Sequence, residues 1–334
     1  MIYSLVGNTG INCSKIVLGT DYFGKLISPE DSFRLMDYFC ENGGNMIDTA
    51  HVYSDYLPGE KHMSEKVIGK WLRQRGKKGV YISTKGGFPC LEDYHKSRLS
   101  YKNIREDLES SLSLLGIDSI DMYWLHRDNL CIPTEEIVQW MNEFIKQGMI
   151  SNWGVSNWTC KRINEANECA QKNNLDGIKA SQIRWSLARV TPGTDKDDTL
   201  VEMNSQEYYG YMKNQIPVFA FSSQAKGFFS KIKENDDGTL ILPDGKAGLR
   251  YSNDDNIAMY YTLKKLQKQV SSATISQLAL LPIIKGKLCS YAIVGCKNIA
   301  HLEDTMKSAE ISQAFLTEDI NKEMNPYEIN ISNC

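Results

Sequence analysis

The chain has no Cys-x-x-Cys pair, no basic excess, no membrane-length apolar run and no low-complexity tract. Each absence removes a class of protein. Its nine cysteines, at 13, 40, 90, 131, 160, 169, 289, 296 and 334, are odd in number and scattered. No histidine stands at zinc-ligand spacing from them, so neither a disulfide scaffold nor a metal site is predicted. The thiols suit a reducing compartment. A formal charge of −3 supplies no field for nucleic acid or for an anionic membrane. The basic cluster Arg73-Gln-Arg75-Gly-Lys77-Lys78 reads as a solvated helix end. Met1-Ile-Tyr-Ser-Leu-Val-Gly7 lacks a charged segment followed by a long apolar one, and a soluble cytoplasmic protein is therefore expected.

What is present is ordinary core-forming material: 42% hydrophobic and 24% charged residues over 334 positions, with no interdomain linker. One domain over residues 1–334 is predicted, since a single α/β barrel reaches this length. The start, Ile2–Val6 and Ile11–Cys13 around Asn8-Thr9-Gly10, reads as a β-hairpin. Eight apolar runs follow: Ile16–Leu18, Asn45–Asp48, Val80–Thr84, Ser119–Leu125, Trp153–Val155, Ile178–Gln182, Val218–Phe221 and Tyr291–Val294. Helical stretches alternate with them. One opens at Ser28-Pro29 and closes at Gly43-Gly44; others run Glu65 to Arg75, from Ser100 to Gly116, from Pro133 to Gly148, and from Thr159. Alternating strands and helices imply right-handed parallel βαβ units, and eight of them close a (β/α)8 TIM barrel. Two places stand out. Residues 223–257, with Asp236-Asp237-Gly238 and Pro243-Asp244-Gly245, read as a long polar excursion after the seventh barrel strand. Pro282, inside Ile275–Ile284, should break or kink the last crossover helix.

Three of the runs place a polar group at or just past a strand end, Asp48, Lys85 and His126, and Tyr53 lies five residues past Asp48. In a barrel all would emerge at the carboxyl face, where such folds carry their sites. Taken singly, the aspartate reads as a helix cap, the tyrosine as a core residue and the histidine as a satisfied structural group. Together they form a proton-relay set. A tyrosine beside a lysine that an aspartate holds can give up its proton near neutral pH, because the cation stabilises the phenolate. The histidine can hydrogen-bond a substrate oxygen.

The chain resembles the aldo-keto reductase superfamily over nearly its whole length, through Leu18-Gly-Thr20, Asp48-Thr-Ala-x-x-Tyr53, Ser83-Thr-Lys85, Leu125-His126, Gly154-Val-Ser-Asn157, Ser181-Gln182 and Ala220-Phe-Ser222. The resemblance implies a barrel that binds NADP(H) without a dinucleotide fold, in keeping with the lack of any Gly-x-Gly-x-x-Gly here. It implies Tyr53 as general acid, Lys85 and Asp48 as the pair that lowers its pKa, and His126 as the residue that orients the carbonyl. Gly19, Thr20 and Asp21 would lie against the cofactor. Ser156, Asn157 and Gln182 would hold the nicotinamide carboxamide, and Phe221 would either face the ring or serve as barrel packing. Ser222, Ser223, Gln224, Lys226 and Gly227 would meet the pyrophosphate, with the 223–257 excursion folded over it. Gly295, Cys296, Lys297, Asn298, His301, Asp304 and Thr305 align with the adenosine-binding segment. His301, Asp304 and Thr305 depart from the family pattern there, so NADP(H) is expected with NAD(H) still open.

Tyr22, Phe23, Phe88, Arg127, Asp128, Trp158 and Trp185 are candidates for the substrate pocket, with Arg127-Asp128 read alternatively as an internal ion pair. His51 is assigned no role. The expected partner is a small-molecule carbonyl compound, reduced to an alcohol; the pattern specifies no oligomeric state. A second reading is a cofactor-sensing regulatory subunit, since the same fold serves as a β-subunit of potassium channels. A third, a Schiff-base lyase, is disfavoured because Lys85 is already accounted for.

Overall fold

Short apolar runs bounded by glycine, asparagine and aspartate are too brief for helices and rich enough in Val, Ile and aromatic residues to pair as strands. The computed structural model describes residues 1–195, 197–270, 272–312, 315–325 and 327, so Cys334 lies outside the described residues. Strands β1 (Tyr3–Leu5) and β2 (Asn12–Ser14) form the expected antiparallel hairpin. Then come β3 (Ile16–Gly19), β4 (Met46–Asp48), β5 (Tyr81–Gly86), β6 (Met122–Leu125), β7 (Trp153–Ser156), β8 (Ser181–Arg184) and β9 (Val218–Phe221). A two-stranded ribbon, β10 (Lys233–Glu234) with β11 (Leu240–Ile241), precedes β12 (Ser290–Val294). β3 to β9 and β12 pair in parallel around a closed eight-stranded barrel, β12 lying between β9 and β3.

The crossovers are α1 (Pro29–Glu41), α2 (Met63–Arg75), α3 (Tyr101–Leu115), α4 (Thr134–Lys146), α5 (Cys160–Lys172) and α6 (Ser205–Asn214). Ser28, Ser100 and Thr159 cap α1, α3 and α5 by accepting a backbone N–H two or three residues into the helix. Gly116 ends α3 at φ +68°, in the left-handed region glycine tolerates.

The barrel is packed, not hollow. Inside it Trp124 meets Phe219 edge-on at 5.1 Å between centroids and Phe219 stacks on Tyr291 at 4.5 Å, and the hairpin residues Val6, Ile11 and Cys13 pack with them. The Tyr291 hydroxyl donates to the Leu5 carbonyl at 2.9 Å and fastens the hairpin there.

The structure departs from the sequence expectations in three respects. β6 and β8 begin at Met122 and Ser181, each three residues later than predicted, so Gln182 lies inside its strand. Residues 223–257 are not a loop: they hold a 3₁₀ turn, α7 (Phe228–Lys231), the β10–β11 ribbon and α8 (Gly245–Tyr251). Phe228, Phe229, Ile232, Ala247 and Tyr251 are buried there, and burying those faces orders a stretch whose polar residues dominate its composition. Beyond it run α9 (Asp254–Gln267), α10 (Ile275–Ile284), α11 (Ile299–Lys307) and α12 (Glu318–Met324). Pro282 neither breaks nor splits α10. It stands in the last turn, where one lost backbone bond matters least, and its ring is buried with seven neighbouring helix residues.

Gly154 in β7 has no room for a side chain, since a Cβ there would lie 2.5 Å from the Trp124 ring and 2.6 Å from the Ala180 carbonyl. Gly154→Ala is expected to destabilise the fold by about 1–3 kcal/mol. Thermal denaturation checks this, and an unchanged midpoint would refute the packing assigned to the barrel interior.

Candidate active site

Parallel register brings the four polar residues to one opening. Asp48 pairs with Ser83, Lys85 with Trp124, and the His126 amide donates to the Gly86 carbonyl at 2.9 Å. After β4 the chain turns at once: the Tyr53 amide donates to Ala50, and Ser54 follows at φ +71°. That turn folds Tyr53 back over the barrel mouth. Lys85 Nζ then donates to Asp48 Oδ2 at 2.6 Å, to the Thr49 carbonyl at 2.7 Å and to the Tyr53 hydroxyl at 3.0 Å. Asp48 Oδ1 accepts from Ser83 Oγ at 2.7 Å and Gln182 Nε2 at 2.8 Å. The His126 ring meets Tyr53 edge-on at 6.1 Å between centroids and Phe88 at 4.7 Å.

The electrostatics differ from the sequence expectation in one respect. Tyr53 is pushed well above the ordinary phenol range, first by burial, then by the carboxylates of Asp48 and Asp21, with Arg127 opposing. The Lys85 amine touches the hydroxyl, but burial together with the carboxylates of Asp48 and Asp21 outweighs it. Tyr53 is therefore a held proton, not a ready phenolate. Burial also pulls Lys85 below the usual lysine range, against the pull of Asp48. His126 is driven well below the usual imidazole range by burial, then by Arg127 and Lys85. It is neutral, and its Nδ1 is buried with no hydrogen-bond partner among the described residues.

Around this centre, Asn157 stands at φ +61° with Nδ2 donating to Ser156 Oγ at 3.0 Å and Oδ1 accepting from the Val201 amide at 3.2 Å. Thr20 Oγ1 donates to the Asp48 carbonyl, and Gly19 packs its Cα against Ile293. Asp21 is pushed up by burial and bonded to Tyr56. Phe221, half-buried, ends β9 at the mouth. Past it, Ser222, Ala225 and Lys226 hold left-handed backbone, Ser223 Oγ donates to the Ile293 carbonyl, and Gln224 Nε2 donates to Thr305 Oγ1. Burial and the neighbouring Arg250 lower the Lys226 amine, with Lys246 and Arg184 adding to that effect. Gly227 caps α7. Gly295 opens onto free space, Cys296 is a buried thiol pushed up to about 11, and Lys297 and His301 are exposed beside the amino end of α11, which Asn298 caps. Asp304 is not at that surface: it accepts from Gln277 and Thr274 and holds the start of α10.

The proposed pocket residues divide. Phe88 and Arg127 stand at the mouth, Arg127 lying over the Phe88 ring at 5.0 Å, and Tyr22 is half-buried beside Asp21. Phe23 and Trp158 do not line it; each is buried in the outer core, where their apolar area is worth more, and Arg162 lies over the Trp158 ring. Arg127 and Asp128 are both ion-paired, but not to each other: Arg127 binds Asp197 at 2.8 Å and Asp128 binds Arg162 at 3.3 Å. Trp185 walls a separate cavity of about 430 Å³ with Arg184, Arg189, Glu202 and Tyr327. None of the four central residues lines it.

Two features escape sequence reading. Glu65, buried in α2, accepts from Thr84 Oγ1 at 2.6 Å and meets His51 Nδ1 at 3.0 Å, bracketing Lys85 from behind. Residues 191–195 and 197–201 lie at the mouth as a strap: Asp195 pairs with Arg184 and Arg250, Asp197 with Arg127, and Asp198 with His95. Pro192-Gly193 and the run of aspartates after β8 were the available signal.

Comparison with known proteins follows the same lines. The sequence model described as the Aldo/keto reductase family matches residues 15–322. The chain is 26% identical over 320 residues to the "Uncharacterized oxidoreductase YrpG" of Bacillus subtilis (strain 168), covering 93% of this chain and 92% of that one. It is 27% identical over 338 residues to the "Putative voltage-gated potassium channel subunit beta" of Schizosaccharomyces pombe, covering 96% and 91%. Its fold matches the crystal structure of a thermostable aldo-keto reductase, Tm1743, in complex with the inhibitor epalrestat, at a TM-score of 0.71 and 22% identity, over 98% of this chain and all of that one.

Because His126 takes up its proton less readily folded than unfolded, its contribution to stability is complete above the unfolded value of about 6.5 and is lost progressively as pH falls below it. Urea midpoints between pH 8 and pH 5 should fall more steeply for the parent than for His126→Gln. Equal slopes would contradict a buried neutral imidazole.

Proposed function

The chain belongs to the aldo/keto reductase family, and on that premise we propose that it is an NADPH-dependent oxidoreductase that reduces an aldehyde or ketone to an alcohol. The observation that carries this reading is the Lys85 ammonium in simultaneous contact with Asp48 and the Tyr53 hydroxyl, with a neutral imidazole across the opening.

The residues present suit a nicotinamide nucleotide. Ser156 accepts from Asn157 yet keeps its own O–H to donate, and Gln182, whose Nε2 is engaged by Asp48, has its carbonyl oxygen to offer. One donor and one acceptor complement a carboxamide. Farther along the mouth, a partly desolvated Lys226 among Arg250, Lys246 and Arg184 makes a concentration of positive charge suited to a pyrophosphate. Lys297 and His301 at the amino end of α11 suit a 2′-phosphate, which favours NADP(H). When bound, the reduced nicotinamide supplies the hydride.

The chain's own groups supply the rest. His126, neutral and with one ring N–H, donates a hydrogen bond to the carbonyl oxygen and fixes its direction. As negative charge grows on that oxygen, Tyr53 transfers its proton to it, and Lys85 keeps its hydrogen bond to the phenolate that remains. The raised pKa of Tyr53 is compatible with this, since an alkoxide is far more basic than a phenolate and takes the proton even from a phenol held above its ordinary range. Eight free described cysteines support a reducing, cytoplasmic setting.

A regulatory reading has one observation behind it, the likeness to a protein named as a channel β-subunit. Repeated turnover separates the two: an enzyme consumes many equivalents of NADPH with an aldehyde panel, a sensor about one. Tyr53→Phe should lower kcat by roughly 10²–10⁴-fold while fluorescence titration shows NADPH binding close to parental. Parental turnover in that variant would remove the assigned acid.

A further inference from the structure

Arg127 follows His126 directly and is buried at the reaction end of the barrel. Its guanidinium lies 5.0 Å over the Phe88 ring, whose edge meets His126 at 4.7 Å between centroids. One aromatic ring thus separates a cation from the imidazole that would orient a carbonyl. The three donating nitrogens are all engaged: Nη1 donates to the His126 carbonyl at 2.9 Å, Nε to Thr199 Oγ1 at 3.0 Å and Nη2 to Asp197 Oδ2 at 2.8 Å.

Nε and Nη2 form one edge of the planar fork, the edge that grips a carboxylate with two parallel hydrogen bonds. Here two oxygens of the strap occupy it, one from Asp197 and one from Thr199, which itself donates to Asp197 Oδ1. The strap is fastened independently on either side, by Asp195 to Arg184 and Arg250, and by the Val201 amide to Asn157. Neither of those contacts involves the Arg127 guanidinium.

We propose that Arg127 receives a carboxylate carried by the carbonyl substrate, and that Asp197 with Thr199 is the resident stand-in that this carboxylate displaces; the inference rests on the reductase reading. Exchange of one carboxylate for another keeps the buried guanidinium compensated. A neutral carbonyl compound that displaced Asp197 would strand it. The site therefore selects short aldehyde or keto acids, bound with the acid at Arg127 and the carbonyl between His126 and Tyr53, along the face of Phe88.

The test compares kcat/KM for 4-carboxybenzaldehyde and its neutral match 4-methylbenzaldehyde, with NADPH. The parent should favour the acid by roughly tenfold or more. Arg127→Gln should bring the ratio near one, mainly through KM for the acid, and Asp197→Asn should raise it by weakening the competitor. If Arg127→Gln does not fold, as judged by circular dichroism, Asp197→Asn and competitive inhibition by benzoate carry the test, with benzoate binding tighter in that variant. A parental ratio of one or below, or ratios and benzoate inhibition unmoved by the substitutions, overturns the proposal and leaves the Arg127–Asp197 pair a fixed latch. Consumption of neither aldehyde by the parent would instead count against the reductase reading itself.

Discussion

A lysine and an aspartate with almost no contact with solvent, 2.6 Å apart, are the constraint on which the rest of the site depends. Removing two charges from water costs several kcal/mol each, and their attraction repays this only when the remaining donors and acceptors are also satisfied. Here they are. The ammonium reaches the Thr49 carbonyl and the Tyr53 hydroxyl, and the second carboxylate oxygen takes Ser83 and Gln182. Those partners come from β4, β5, β8 and the turn after β4, so one ion pair ties opposite sides of the barrel together. Breaking it by losing one partner would cost on the order of 3–5 kcal/mol.

The same pair decides the charge states around it. The Asp48 carboxylate offsets the pull of Lys85 on the Tyr53 proton, and burial keeps the phenol protonated. His126 is neutral for the same reason of desolvation, reinforced by two cations. A protonated phenol facing a neutral imidazole gives two hydrogen-bond donors for one substrate oxygen, and only one of them can release its proton without leaving a buried charge unpaired. That one is Tyr53, whose phenolate would rest against Lys85.

Much of this was legible in the residues. Eight apolar runs announced the eight barrel strands, and the positions of Asp48, Lys85 and His126 at or beside strand ends followed from parallel register. What stayed hidden has a common physical origin. The partners of Arg127, Arg184 and Arg250 lie far away in sequence, on the strap, and charge pairing across a barrel mouth leaves no periodic trace. The ordered 223–257 segment was masked by polar composition, although Phe228, Phe229 and Tyr251 in it are core residues. Trp158 resembled a pocket wall because an aromatic residue next to a site looks the same in sequence whether it faces inward or outward. The direction of the Tyr53 shift depended on the distance between Lys85 and Asp48, which spacing along the chain does not contain.

The strap and the barrel mouth together divide the opening into two electrostatic regions. At the reaction end, each cation has its own carboxylate: Lys85 has Asp48, and Arg127 has Asp197. Nothing there attracts a proton or a stray ion until a substrate alters the pairing. At the other end, Lys226, Lys246, Arg184 and Arg250 gather near Asp21, Asp195 and Glu202, so cations outnumber carboxylates. A polyanion would be drawn to that second region, whereas in the first Arg127 would take a carboxylate only by exchange with Asp197. Since Asp195 neutralises part of the one and Asp197 part of the other, the strap joins them, and a ligand that rearranges either contact acts on a segment whose far side ends at Asn157. In the proposed enzyme, cofactor and substrate would therefore share a physical path through the contacts of Asp195, Asp197 and Val201, in addition to any contact between the two ligands.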